Sequence, residues 1–165
     1  CNIGAKCAKG NYLLFLNDDI EAFEKGWLDI MTGHAAQPHV GMVGAKLLYP
    51  DSSVIQHIGI TNLVIGPSHS QIGFSDNDIY YFGRNRVEYN WLAVTAACAM
   101  IKKDKFEQIG GFDEDFASPI MTWISVSAYM KRDIIMWFGR MWSYIIMNLP
   151  AGEMMIWHQR RKIGF

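Results

Sequence analysis

Three consecutive side chains able to bind a cation, Asn17-Asp18-Asp19, close an apolar run from Tyr12 to Leu16. An apolar run stopped by a polar break reads as a buried strand and its exit. Adjacent carboxylates repel, so two together are costly unless a positive charge neutralises them. A divalent cation does this, and an oxygen-only site suits Mg²⁺ or Mn²⁺. Open α/β sheets bind ligands at the C-terminal ends of their strands. A metal-and-phosphate site is therefore one reading; a solvated turn is the other, since Asn and Asp are ordinary turn residues. A second acidic pair, Asp113-Glu114, follows Gly110-Gly111-Phe112. If one pair holds metal, the other can orient an acceptor hydroxyl or act as a base. His57 and His69 could reach a ligand, but neither has ligand spacing to a partner, and a packed or surface histidine is the commoner role.

Composition narrows the function classes. The chain has 165 residues, half of them apolar and 19% charged, which is globular and long enough for one domain with a core. A net charge of −1 gives no electrostatic footprint for nucleic acid or an acidic membrane. Cys1, Cys7 and Cys98 form no CxxC or Cys/His pattern, which argues against a disulfide framework or zinc and suits a reducing, cytoplasmic setting. No Gly-rich loop ends in Lys-Ser/Thr, so a P-loop is excluded. No signal peptide is present, and the chain opens on Cys1-Asn2-Ile3 rather than Met, so it is expected to be a piece of a longer protein. No apolar run approaches the roughly 20 residues of a transmembrane helix. The densest, Ile134 to Leu149, is broken by Arg140 and Asn148.

The elements that must position the acidic pairs follow from patterning. Asn2 to Ala8 reads as the end of a helix with Gly10 at its C-cap, and Tyr12 to Leu16 as a strand. Ile20 to Glu24 is a short connection. Lys25 to Ala36 has helical spacing at Trp27, Leu28, Met31 and Ala35, with Pro38 beyond it. Val40 to Leu48 reads as one strand in which Gly41 and Gly44 admit close approach of backbone or ligand. A turn covers Tyr49 to Ser53, and a short strand Val54 to Ile60. Thr61 to Asn90 reads as a long loop, functional or mobile. Val87 to Lys102 is a third apolar stretch whose small residues, Thr95 to Ala99, leave room for a ligand or for a closely packed helix. Asp104 is placed to cap a short helix ending at Ile109.

Together these residues carry a pattern. Asn2-x-Gly4 through Gly10-x-Tyr12-Leu13-Leu14-Phe15-Leu16-Asn17-Asp18-Asp19 resembles the inverting family 2 glycosyltransferases of the GT-A fold. So do Trp27-Leu28, Val43 to Pro50, Gln56-His57-x-Gly59, Thr95-Ala96-Ala97-Cys98 and Gly110 to Glu114. The order and spacing match to about residue 117, most like the bacterial branch that builds rhamnan or O-antigen-type polysaccharides. The resemblance implies an α/β nucleotide-binding sandwich with a mixed central sheet. It implies a nucleotide-sugar donor, a glycan or lipid-linked acceptor, and Mg²⁺ or Mn²⁺. Asp18-Asp19 would be the DxD-type segment: Asp19 the metal ligand, Asp18 a partner for ribose or metal, and Asn17 where many members are acidic. Thr95 and Ala96, with Asp113 and Glu114, would line the sugar and acceptor side. Two departures stand out. The family's first half would precede Cys1, and neither its catalytic-base Asp motif nor its later His-rich segment is present.

The last third changes character. Seven of the ten Met and four of the six Trp lie between Met121 and Trp157, unusual for a core. Met and Trp have single codons, so the coding sequence can be partly recovered. Ile120 to Val126, read from the third base of its first codon, can give Asn-Asp-Val-Asp-Phe-Cys, which matches the missing base motif. Met141 to Asn148 in the same shifted frame can give Val-Glu-Leu-Tyr-His-His-Glu-Ser, which matches the missing His-rich segment. Residues 1–117 are therefore expected to be the C-terminal part of a family 2 domain. Residues 118–165 are expected to be an out-of-frame tail, irregular or loosely helical, and the chain inactive. Two other readings remain: a non-catalytic nucleotide- or metal-binding module, and a peripheral membrane protein that uses the Trp/Met tail as a surface anchor.

Overall fold

A computed structural model describes residues 1–23, 25–64, 66–113, 135–138 and 145–147. In chain order the elements are α1 (Asn2–Cys7), β1 (Tyr12–Leu16), β2 (Ile20–Ala22), α2 (Trp27–Ala35), β3 (Val40–Gly44), β4 (Leu47–Leu48), β5 (Ile55–His57), β6 (Ile60–Leu63), β7 (Gly66–His69), β8 (Cys98–Lys102), α3 (Lys103–Gln108), β9 (Ile135–Phe138) and β10 (Ile145–Met147). One sheet runs β1-β8-β3-β9, a second β2-β10-β4-β5, and β6-β7 is a hairpin. The first sheet is mixed: β8 is antiparallel to β1 and β3, whereas β9 is parallel to β3.

Alternation along β1 and β8, with a register irregularity in β3 between Val40 and Val43, builds a core on each face of this sheet. Leu13, Met42, Ala99 and Ile101 face a cluster with Ile55, Ile58, Trp91, Phe106 and Phe112. Val40, Val43, Cys98 and Met100 face the other way, onto Met31 and Ala35 of α2. All five residues of β3 are buried, because both faces are covered. This accounts for the Val-Gly-Met-Val-Gly run, which reads as continuous rather than alternating.

Several expectations are corrected. The apolar stretch Val40 to Leu48 is two strands in different sheets, broken at Ala45-Lys46. There the Ala45 N–H donates to Cys98 O (3.1 Å), and the Lys46 ammonium turns inward to Asp76 (2.7 Å). A Cβ on Gly44 would lie 2.5 Å from Cβ of Val94, so the close neighbour at that glycine is Val94. Residues 87–97 are not a strand; Ala93 bridges to Ile60, Tyr89 is a second isolated bridge residue, and regular pairing begins at Cys98. Ile20 to Ala22 is a strand, because β10 supplies a partner far away in sequence. Thr61 to Asn90 is not loop throughout, since β6 and β7 pair within it. Helix α1 ends in an extended Ala8 rather than at Gly10. Asp104 lies in the first turn of α3, where its Oδ1 accepts from the Lys105 N–H (2.7 Å) and its Oδ2 pairs with Lys102. The described parts of the tail, β9 and β10, are strands paired into both sheets rather than irregular or helical; the shifted-frame motifs otherwise lie outside the described residues.

Candidate functional site

The Asn17-Asp18-Asp19 segment is fixed by the strand that precedes it. Leu16 registers against Cys98, and one residue later the Asn17 N–H donates to Ala97 O (2.9 Å). The chain then turns through Asp18 and Asp19 into β2. A groove of about 550 Å³ runs along β1, with Tyr12, Phe15, Asn17, Asp18 and Ala96 among its lining residues. Asp18 is exposed and Asp19 half-buried. Within Asp19 the Oδ1 atom is buried and has no hydrogen-bond partner among the described residues.

A secluded, unsatisfied carboxylate oxygen is costly and calls for an explanation. An oxygen-seeking cation is the species that would satisfy it, so Asp18 and Asp19 fit a divalent metal. Among the described residues no three His, Cys, Asp or Glu side chains converge on a metal position. Two carboxylates alone suit Mg²⁺-type binding, in which substrate phosphate and water complete the shell.

Of the small residues Thr95 to Ala99, most pack in the core and one borders the groove. Ala97 and Cys98 pack in the α2-side core, whereas Ala96 lines the groove. Burial pushes the Cys98 thiol up to about 12, so it is no nucleophile at neutral pH. Thr95 is half-buried; its Oγ1 accepts from the Ala97 N–H (3.4 Å), and its own N–H donates to Nε2 of His57 (3.2 Å). His57 is fully buried, and its Nδ1 lies 2.9 Å from Nδ1 of His69. Burial drives the His57 pKa well below the usual histidine value, and neighbouring His69 adds to the shift. His69 is exposed as a residue, yet desolvation of its ring beside His57 lowers its pKa too, although the backbone carbonyl of Gln56 favours its protonated form. Sequence reasoning named both histidines but not their pairing, which depends on β5 meeting the β6–β7 hairpin.

Asp113 is placed by a different device. The Asn2 side chain donates from Nδ2 to Phe112 O (2.7 Å), and its Oδ1 accepts from the Phe112 N–H (2.9 Å). Gly111, at φ +84, lets Asn2 come close: a Cβ there would lie 2.8 Å from its Oδ1. Two segments 110 residues apart, both part of the sequence pattern, thus meet in one two-bond lock. Asp113 is half-buried beyond it and forms no metal-binding group with Asp18 and Asp19; Glu114 lies outside the described residues.

Residues 1–110 match the family model for glycosyl transferase family 2. The chain is 40% identical over 124 residues to the O-antigen biosynthesis protein RfbC of Myxococcus xanthus, covering 70% of this chain and 9% of that protein. It is 38% identical over 117 residues to the uncharacterized protein y4gI of Sinorhizobium fredii (strain NBRC 101917 / NGR234), covering 68% of this chain and 12% of that one. The chain therefore spans about a tenth of the length of these curated relatives. With two thirds of its residues inside the family match and its strands and helices in sandwich order, the chain belongs to glycosyl transferase family 2 and has that family's α/β GT-A fold.

Proposed function

We propose that this chain carries the diphosphate-metal corner of a nucleotide-sugar transferase acting in surface polysaccharide synthesis. The single observation that carries this reading is the buried, unpartnered Oδ1 of Asp19 beside the exposed Asp18, at the end of a strand bordering an open groove. Asp18 and Asp19 would hold Mg²⁺ or Mn²⁺. The cation supplies positive charge to the leaving diphosphate. Asn17 and Ala96 shape the wall next to the donor, Thr95 fixes that wall from behind, and Asp113 with Glu114 stands on the acceptor side. The reaction would be in-line displacement at the anomeric carbon with inversion, from a nucleotide-sugar, rhamnosyl donors included, to a glycan or lipid-linked acceptor. The similarity to an O-antigen biosynthesis protein supports that substrate class. A cytoplasmic place at the inner membrane face suits such an acceptor; among the described residues no helix is long and apolar enough to cross a membrane.

Residues 1–117 form the family domain portion in this reading, and 118–165 are read out of frame. The family match ends at residue 110, before the Met/Trp-rich segment begins. Without an in-frame base motif, the 165-residue chain is expected to bind nucleoside diphosphate but not to transfer sugar. Calorimetric titration with UDP, GDP and dTDP, with and without Mn²⁺, tests this. Mn²⁺-dependent binding without turnover supports the reading; Mn²⁺-independent binding, or sugar transfer by the purified chain, overturns it. Sequencing the encoding DNA decides the frame of the tail.

A further inference from the structure

The Asn17-Asp18-Asp19 turn is tied to a feature outside the groove. Its first amide is held by Ala97 O, the Ala97 N–H is held by Thr95 Oγ1, and the Thr95 N–H is held by Nε2 of His57. That last bond decides the rest. An Nε2 that accepts carries no proton, so the neutral His57 ring has its proton on Nδ1. At 2.9 Å this proton is donated to Nδ1 of His69, which must then be the bare nitrogen. The two rings meet edge to face at 4.8 Å between centroids. His57 is fully enclosed and His69 lies at the edge of the β6–β7 hairpin, so the couple joins that hairpin to the 95–97 segment. The close approach of Val94 to Gly44 fixes the residue immediately before the same segment.

We propose that His57 and His69 are positioning residues: as a hydrogen-bonded couple they set the 95–97 segment and, through Ala97, the approach of the chain to Asp18 and Asp19. Neither ring touches the metal position; both act through backbone. The effect on metal binding rests on the reading of Asp18 and Asp19 given above, whereas the effect on the segment itself does not.

Two readouts on the full chain keep those apart. The informative variant is His69→Ala, because His69 lies at the surface and its loss leaves the core packed. The Thr95 and Asn17 amides should then exchange about tenfold faster, the order expected for one lost hydrogen bond. The Asp76 amide, held by Ser53 O on the far loop, should not change. Mn²⁺ affinity should fall about tenfold, as when an outer-shell partner is removed. His69→Asn, whose side-chain oxygen occupies the place of Nδ1, should restore both. His57→Gln, which keeps an acceptor for Thr95 but breaks the link to His69, should behave like His69→Ala. Unchanged exchange at Thr95 and Asn17 in His69→Ala, or no rescue by His69→Asn, would overturn the couple. Faster exchange rescued by Asn, in a chain that binds no Mn²⁺ at all, upholds the couple and removes the metal reading instead.

Discussion

Asp76 and Asp19 both draw carboxylate oxygens out of water, and the chain treats them in opposite ways. Asp76 is 3% exposed and fully engaged: Oδ2 pairs with Lys46 at 2.7 Å, and Oδ1 accepts from Asn85 Nδ2 at 3.2 Å. Lys46 also donates to Asn85 O, Asn85 to Asp78 O, and Arg86 to the backbone carbonyls of Asp76 and Asn77. This network clamps the 75–86 loop onto the break between β3 and β4. At Asp19 the buried Oδ1 has no such partner among the described residues. A network closed within the chain belongs to the fold; the Asp19 oxygen has no such closure among the described residues, and the cation proposed above is what would supply it.

The largest test of the contrast falls on the closed side. Asp76→Ala leaves the Lys46 ammonium buried without its carboxylate, and should cost roughly 3–5 kcal/mol in urea unfolding. A loss below about 1 kcal/mol, the size of a surface pair, would mean that the network does not hold the loop. Next in size is Gly111→Ala, which combines a positive φ with a clash against Asn2. It should cost roughly 1–3 kcal/mol by the same measurement. Acid should act through the histidine couple. Both rings have lowered pKa values in the fold, so below about 6.5 the unfolded chain takes up more protons than the folded one. Their contribution to stability is complete above that pH and is lost as pH falls through it toward the folded values. Thermal melts between pH 7.5 and 5 read this directly, and a melting temperature that rises on acidification would contradict the neutral pairing. The smallest effect belongs to Asp19→Asn. Replacing a carboxylate whose secluded Oδ1 has no partner among the described residues should leave the melting temperature unchanged or slightly higher, whereas a loss resembling that of Asp76→Ala would place Asp19 among the structural carboxylates.

Sequence made much of this legible where the signal is local. The apolar run of β1, its acidic exit, the spacing of Trp27, Met31 and Ala35 in α2 and the glycine exit before Phe112 depend on neighbours within a few residues. The pattern of short motifs then gave the family and its fold. What stayed hidden depends on distant partners. The break at Lys46 cannot be seen in an apolar stretch, because its cause, Asp76, lies thirty residues on. Residues 87–97 are apolar enough for a strand but make only isolated bridges, at Tyr89 and Ala93, rather than a regular ladder. β2 is visible only through β10. The Asn2–Phe112 lock and the His57–His69–Thr95 chain join segments that no local pattern relates. The candidate site residues divide in the same way: Asp18 and Asp19 stand out in the sequence, whereas the groups that hold their turn in place are found only in three dimensions.

The central claim is that Asp19 is left open for a cation. Titration of Mn²⁺ into the full chain, followed by the loss of the free-ion electron paramagnetic resonance signal, tests it most directly. Wild type should bind Mn²⁺, more tightly with nucleoside diphosphate present, and Asp19→Asn should abolish the binding while its melting temperature holds. Equal Mn²⁺ binding by wild type and Asp19→Asn, or none by either with nucleoside diphosphate present, would contradict the account.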